Sequence, residues 1–198
     1  MEETNLKKQT KKEMLKMVEA ALLVAVAVAI DLIPFPRWPQ GGSVSLCMMP
    51  IVFCAYRNGT KWGLASGFVL SAVQMALGLS LPAAKTIGSV VICLLLDYIL
   101  AFTLLGTANI FAKPFGKHKV IGYTVGAIAA GALRFVCSFI SGIVLWAEYA
   151  PEGVPVWLYS LTYNGGYMLP NTLIAAASIG VLCSIIDPKT LKPTAKKN

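Results

Sequence analysis

Two charged residues lie inside apolar stretches of this sequence, where a charge needs a functional or structural reason. Asp97, followed by Tyr98, lies within the apolar run 90–105, and Arg134 interrupts a second apolar run. A carboxylate in an apolar medium costs several kcal/mol unless it has a partner or a water-filled cavity. We therefore predict that Asp97 belongs to a binding site. The alternative is a structural ion pair between Asp97 and Arg134.

A row of residues after Arg134 could form one wall of such a site. Ser138, Gly142 and Trp146 follow at intervals of four residues, which places them on one face of a helix. The Trp146 ring then lies one helical turn from Gly142, whose absent side chain leaves a gap. We predict that Trp146 contacts a ligand there.

Aromatic residues are concentrated in the segment 146–167. We predict that Tyr159 and Asn164 contact a ligand together with Trp146. Tyrosine and tryptophan are also enriched at the level of the lipid headgroups in membrane proteins. For Tyr149, Trp157 and Tyr167 we predict this second role.

The composition indicates an integral membrane protein that must hold these residues between helices. Of the 198 residues, 57% are hydrophobic and only 13% are charged, whereas about 25% of the residues of a soluble domain are charged. Lipid offers no hydrogen-bond partner to a sheet edge, so the spans are helical. A span needs about 20 apolar residues. We predict an all-α bundle of six transmembrane helices in one domain, 1–198, with polar tails at 1–12 and 188–198; the spans are 14–33, 47–57, 62–80, 87–111, 120–147 and 163–186.

The basic residues predict the orientation of the bundle. They lie before the first span, in alternate loops and after the last span: Lys7, Lys8, Lys11, Lys12, Lys16, Arg57, Lys61, Lys113, Lys117, Lys119, Lys189, Lys192, Lys196 and Lys197. By the positive-inside rule both termini are cytoplasmic, and the loops 34–46, 81–86 and 148–162 face outward. The lysines form no stripe with interleaved aromatic residues, so the net charge of +8 does not indicate a nucleic-acid partner.

The lysine-rich N-terminus followed by Ala25-Val26-Ala27 resembles a cleavable signal peptide. Its apolar stretch continues through Ile33 and further spans follow, so we expect it to remain as the first span. The five cysteines are scattered without a Cys-x-x-Cys pair, which predicts neither a disulfide framework nor a metal site. No cofactor is expected.

Two segments are predicted to contact something outside the helical core. Ala21, Ala25 and Ala29 form a stripe of small residues on one helix face, which suits either packing inside the bundle or an interface with a second membrane protein. The segment 34–50 contains several prolines and Gly41-Gly42, so it is not a regular helix. Its apolar end suggests a lid that folds back over an outward-facing cavity.

These motifs together resemble a known family. Asp97-Tyr98, the run from Arg134 to Trp146, Tyr149-Ala-Pro, the run from Tyr159 to Gly165, Gly-Gly-Ser-Val-Ser-Leu at 41–46, Leu-Ile-Pro at 32–34 and the alanine stripe occur in order and at family-like spacing. They are similar to the thiamine-specific substrate-binding subunits (S components) of energy-coupling-factor transporters. Two positions differ from the pattern, because Asp97 stands where a glutamate is also found and Ser138 where a histidine is common.

The resemblance implies a six-helix bundle that binds thiamine from outside and docks on a transmembrane coupling subunit with two ATPase subunits. It implies that Asp97, Tyr98, Arg134, Ser138, Gly142, Trp146, Tyr159 and Asn164 line the thiamine pocket, and that Ala21, Ala25 and Ala29 face the coupling subunit. The chemistry agrees, since thiamine carries a permanent cation. An aromatic face attracts a cation by about 0.5–2 kcal/mol, and a carboxylate supplies the counter-charge.

Other functions remain open at this point. A different vitamin or a thiamine precursor could occupy the same pocket. A self-sufficient secondary transporter could use Asp97 to carry a proton. A membrane enzyme is disfavoured, because the sequence has a single histidine, His118, in a basic loop, and no paired intramembrane acids.

Overall fold

The chain folds into a helical bundle. A computed structural model describes residues 2–34, 38–84 and 86–194, with side chains from residue 5 onward. Within these ranges there are six helical segments of 11 or more residues, and the only β-type pairing is one bridge between Ile186 and Pro193. The helices are α1 (Glu2–Asp31), α2 (Met48–Asn58), α3 (Thr60–Leu77), α4 (Ile87–Phe115), α5 (Lys119–Leu145) and α6 (Val156–Ile185).

Three of these helices are long and apolar enough to cross a membrane by length and composition: α4, α5 and α6. The prediction of a helical membrane protein is therefore confirmed at this level. Helix α2 has 11 residues, or about 16 Å at 1.5 Å per residue, which is shorter than a hydrocarbon core of roughly 30 Å. A complete set of six spans stays a prediction.

Helix α4 changes its winding where it carries the predicted acid. The stretch Leu94–Leu100, which includes Asp97 and Tyr98, is π-helical, and Leu104–Thr107 is a 3-10 turn. The hydrogen bonds of a π-helix place residues five apart on one face, whereas an α-helix places them roughly 140° apart. Asp97 and Phe102 therefore share the face that points between the helices.

Glycines bring α3 and α4 into backbone contact. A Cβ atom on Gly106 would lie 2.1 Å from the Leu64 backbone nitrogen, and one on Gly67 would lie 2.3 Å from the Phe102 carbonyl oxygen. Only glycine fits at such distances. This close packing fixes the position of Phe102 and of the part of α4 that follows Asp97 in the sequence.

The ends of the chain differ from the predicted tails. Helix α1 begins at Glu2 instead of near residue 14, and after α6 the chain folds back, with Thr194 N donating to Ile185 O at 2.8 Å. Arg57 ties this hook to the bundle by donating to the Pro188 carbonyl and by pairing with Glu19 at 2.8 Å. Polar sequence alone did not reveal these local hydrogen bonds. Residues 195–198, Arg37 and Lys85 lie outside the described residues.

The alanine stripe of α1 is exposed. Ala21, Ala25 and Ala29 face away from the bundle, while Val24 and Ala27 on the opposite face are buried at 7% and 0% exposure. Helix α1 packs through that buried face on α2 and α3. Packing of the stripe inside this bundle, one of its two predicted roles, is therefore wrong.

Candidate functional site

One cavity of about 470 Å³ lies at the end of the bundle opposite the hook. Its wall is formed by the segment between α1 and α2 and by α1, α3, α4, α5 and α6. All eight residues that the sequence predicts for a binding site line it: Asp97, Tyr98, Arg134, Ser138, Gly142, Trp146, Tyr159 and Asn164. The structure therefore brings the whole predicted set together in one place.

The Asp97 carboxylate is oriented by neutral donors. Ser141 Oγ donates to Asp97 Oδ2 at 2.5 Å, and the Cys93 thiol lies 3.6 Å from the same oxygen. Tyr98 points to the adjacent loop, where its hydroxyl accepts from Ser80 N at 2.8 Å. No cation within the described residues forms a salt bridge with Asp97. The carboxylate therefore faces the cavity with its charge uncompensated.

Arg134 occupies a different part of the wall. Its side chain is nearly buried, at 9% exposure, and its guanidinium lies 4.2 Å from the centre of the Phe102 ring. Its Nε and Nη1 atoms have no hydrogen-bond partner among the described residues. The alternative of a structural ion pair with Asp97 is therefore wrong. The π-helical stretch places Asp97 and Phe102 on one face of α4. Arg134 stacks on the Phe102 ring, yet its guanidinium and the Asp97 carboxylate form no ion pair.

A ladder of tyrosines on α6 forms the facing wall. The rings of Tyr159 and Tyr163 lie 5.6 Å apart, and those of Tyr163 and Tyr167 lie 6.3 Å apart. Tyr167 is 7% exposed and donates to Asn164 Oδ1 at 2.9 Å, so its prediction as a belt residue is wrong. The helix starts at Val156, seven residues before the predicted span, and every fourth residue from Tyr159 then faces inward.

Asn164 joins α6 to α5 at the cavity wall. Its Nδ2 donates to Ser138 O at 3.2 Å and to Ser160 O at 3.1 Å. Both donor hydrogens of the amide are therefore used within the protein, and its oxygen accepts from Tyr167. One lone pair of that oxygen stays available, which makes Asn164 an acceptor for a ligand rather than a donor.

The segment before α2 covers the cavity, as the lid prediction expects for its described part. Gln40 N donates to Tyr163 Oη at 2.9 Å, and this hydroxyl donates to Gly41 O at 3.1 Å. Further along, Asn171 Nδ2 donates to Ser43 O at 2.8 Å. Gly41 and Gly42 have φ angles of 104° and 90°, which favour glycine. The lid is thus fastened to α6.

Comparison with known proteins assigns the family. The family model described as Thiamine transporter protein (Thia_YuaJ) matches residues 17–191. The chain belongs to this family. It is 39% identical over 193 residues to the thiamine transporter ThiT of Bacillus subtilis, covering 91% of this chain and 96% of that protein. It is 31% identical over 189 residues to ThiT of Lacticaseibacillus paracasei, covering 89% and 90%.

A solved structure has the same fold. ThiT from Listeria monocytogenes matches with a TM-score of 0.72 and 23% sequence identity, over 86% of this chain and 94% of that one. The helical architecture of this thiamine transporter family member is therefore shared with a ThiT structure. The family is one of membrane transporters, so the chain is not an enzyme.

Several residues of the cavity were missed by sequence reasoning. They are Trp38, Gln40, Tyr163, Tyr167 and Asn171 on the wall, together with Ser141, which orients Asp97 from behind the wall. A signal for three of them was present, because Tyr159, Tyr163, Tyr167 and Asn171 recur every four residues. Ser141 carried none, since only the π-helical winding of α4 brings Asp97 to it.

We expect Gly142→Ala to weaken ligand binding by roughly tenfold, the loss of about one hydrogen bond. A Cβ atom there would lie 2.1 Å from Ser160 Oγ and 2.9 Å from Asn164 Nδ2. It would displace both side chains from the wall. Calorimetric titration of the purified variant measures the change.

The matched control for this prediction is Gly165→Ala. A Cβ atom on Gly165 meets nothing within 4 Å. Both changes replace a helical glycine by alanine, so each gains similar helix propensity. Equal affinities of the two variants would show that the contact between α5 and α6 at Gly142 does not shape the site.

Proposed function

We propose that this chain is the substrate-binding membrane subunit of a thiamine uptake system. The observation that carries the proposal is an unpaired carboxylate in a cavity that aromatic rings enclose, in a chain 39% identical to a thiamine transporter. Thiamine joins a permanently cationic thiazolium ring to a neutral aminopyrimidine. A concave cavity with aromatic walls and a few convergent polar groups is typical of small-molecule sites.

Each part of thiamine has a partner of suitable chemistry on the wall. Trp146 offers the aromatic face that attracts a cation, and Asp97 offers the counter-charge or accepts from the exocyclic amine. Tyr159 and Tyr98 supply hydroxyl groups, and Asn164 supplies an acceptor. The small side chain of Ser138 and the absent side chain of Gly142 leave space for a ring of the ligand. Arg134 forms the part of the wall beside Phe102.

The distribution of charge supports an outward-facing cavity. Arg57, Lys119 and Lys189 lie at the end of the bundle that carries the hook, where Lys119 pairs with Asp187 at 3.2 Å. The cavity lies at the other end, between the C-terminal parts of α1, α3 and α5 and the N-terminal parts of α4 and α6. By the positive-inside rule, the basic end is cytoplasmic and both termini are inside, which fits a chain whose six helices cross the cell membrane.

Uptake against a gradient requires an energy source from a partner. The sequence contains no Gly-x-x-x-x-Gly-Lys-Ser/Thr phosphate-binding loop. We propose that an energy-coupling-factor transmembrane subunit with two ATPase subunits supplies it. The exposed alanine stripe of α1 suits this contact, since small residues let a partner helix approach closely in lipid.

We expect the purified chain to bind thiamine at micromolar concentrations or below in the absence of any ATPase. The cavity is formed by this chain alone, and Trp146 on its wall should report occupancy by a change in fluorescence. The measurement is a titration of detergent-purified protein with thiamine and, in parallel, with riboflavin and biotin. Trp146→Phe serves as the control for the origin of the signal.

Two outcomes would contradict the proposal. A response to another vitamin and none to thiamine would transfer the function to that ligand. Uptake by vesicles that hold this chain alone, driven by a proton gradient, would favour a secondary transporter over a subunit that depends on ATPases.

A further inference from the structure

The charges on the cavity wall do not end with Asp97 and Arg134. Asp31, the last residue of α1, lines the same cavity. Among the described residues of the wall, the carboxylates and strong bases are thus two aspartates and one arginine, with a formal sum of −1. Without Asp31 the formal sum would be zero, although Asp97 and Arg134 form no ion pair and lie on different parts of the wall.

Asp97 attracts a cation that lies beside it, whereas Arg134 repels that cation from another part of the wall. The Arg134 guanidinium stacks on Phe102 and forms no salt bridge with a carboxylate among the described residues. A second carboxylate would offset this repulsion and strengthen the selection of a monocation over a neutral molecule of the same shape. Asp31 is the residue that provides it.

The position of Asp31 is unfavourable for the stability of α1. The C-terminal end of a helix carries a partial negative charge, where an acid is destabilising and a base stabilising. The Asp31 carboxylate accepts from Gln74 Nε2 at 2.8 Å, and this donor is neutral. In the described ranges no salt bridge includes Asp31. The Asp31 carboxylate is therefore oriented by a hydrogen bond, and no positive charge of the described residues pairs with it.

Asp31 also lies nearer to the end of the bundle than Asp97 does. Asp31 is the last residue of α1, whereas Asp97 lies ten residues, or about 15 Å, into α4 from Ile87. A ligand that enters from this end of the bundle meets Asp31 before it reaches Asp97.

We infer that Asp31 is a second specificity-determining carboxylate, which attracts the cationic ligand at the mouth of the cavity and makes the site selective for a single positive charge. Gln74 is its positioning residue, because its amide fixes one carboxylate oxygen. The inference rests on the proposed function. It concerns the charge selectivity of the same site, and it can fail while thiamine binding stands.

The test compares thiamine with deazathiamine, the neutral isostere in which a thiophene replaces the thiazolium ring. We expect Asp31→Asn to lower the association rate of thiamine roughly tenfold at low salt, a typical size for electrostatic steering. The rate for deazathiamine should not change. Gln74→Ala should lower the thiamine rate by less than Asp31→Asn does, and Glu152→Gln, which removes the same charge from an exposed loop outside the cavity wall, should leave both rates unchanged.

Stopped-flow tryptophan fluorescence at two ionic strengths measures these rates. An equal loss for both ligands would show that Asp31 shapes the cavity without selecting charge, and would overturn the inference. An unchanged preference for thiamine over deazathiamine in Asp31→Asn would overturn it as well. If the unmodified protein bound neither compound, the proposed function itself would fail, and this result is distinguishable from the other two.

Discussion

Asp97→Asn should weaken thiamine binding by about 1.5–3 kcal/mol, the range for a hydrogen bond to a charged group. The substitution keeps the shape of the side chain and removes its charge. Ser141 Oγ can still donate to the remaining oxygen, so the side chain keeps its orientation. Calorimetric titration of the purified variant with thiamine measures the loss.

The same variant should not lose thermal stability. Asp97 forms no salt bridge within the described residues, so no buried partner charge is left alone when it is neutralised. A lower melting temperature with unchanged affinity would mean that the carboxylate serves the fold. Ser141→Ala is the control that removes the orienting donor and keeps the charge, and we expect it to weaken binding less.

The location of the site could be predicted from the sequence because its residues are conspicuous in an apolar background. Asp97 and Arg134 are costly in a membrane, and Trp146 follows Arg134 at helical spacing. The relation between the two charges could not be predicted. It depends on the π-helical winding of α4, and hydropathy along the chain contains no sign of that winding.

The boundaries of the helices show a second limit of sequence reasoning. Helix α6 begins at Val156, yet a hydropathy window starts its span later because Tyr159, Thr162 and Asn164 lower the average. Tyr159 and Asn164 line the cavity, so polar residues that hide the start of the helix from hydropathy are also residues that build the site. Tyr167 was assigned to the membrane surface because it belongs to the aromatic-rich segment 146–167.

The hook after α6 was hidden in a different way. Its hydrogen bonds join Arg57 to backbone carbonyls more than a hundred positions away in the chain. Such contacts depend on tertiary packing and leave no local pattern. The lysine-rich ends were predicted as polar tails from local sequence alone. In the structure, α1 already begins at Glu2.

Ala25→Trp should abolish thiamine uptake by cells while the purified chain still binds thiamine with unchanged affinity. Ala25 lies on the exposed face of α1, and its neighbours along the stripe are Ala21 and Ala29. A large ring there would hold a partner helix away from the backbone of α1, and close approach is what small residues permit in lipid. The cavity is not affected, because Ala25 is not part of its wall. Uptake of labelled thiamine and co-purification with the coupling subunit are the two measurements.

Val181→Trp is the matched control, since Val181 is 62% exposed on α6, away from the stripe. It adds the same ring to a surface that only lipid should contact, and uptake should persist. Normal uptake by Ala25→Trp would show that the stripe faces lipid instead of the coupling subunit. Loss of thiamine binding along with uptake would mean that the ring disturbs the bundle itself. Retained binding with lost uptake would separate the two steps. Thiamine would then be bound at the cavity, whereas its transport would need the exposed alanine stripe of α1.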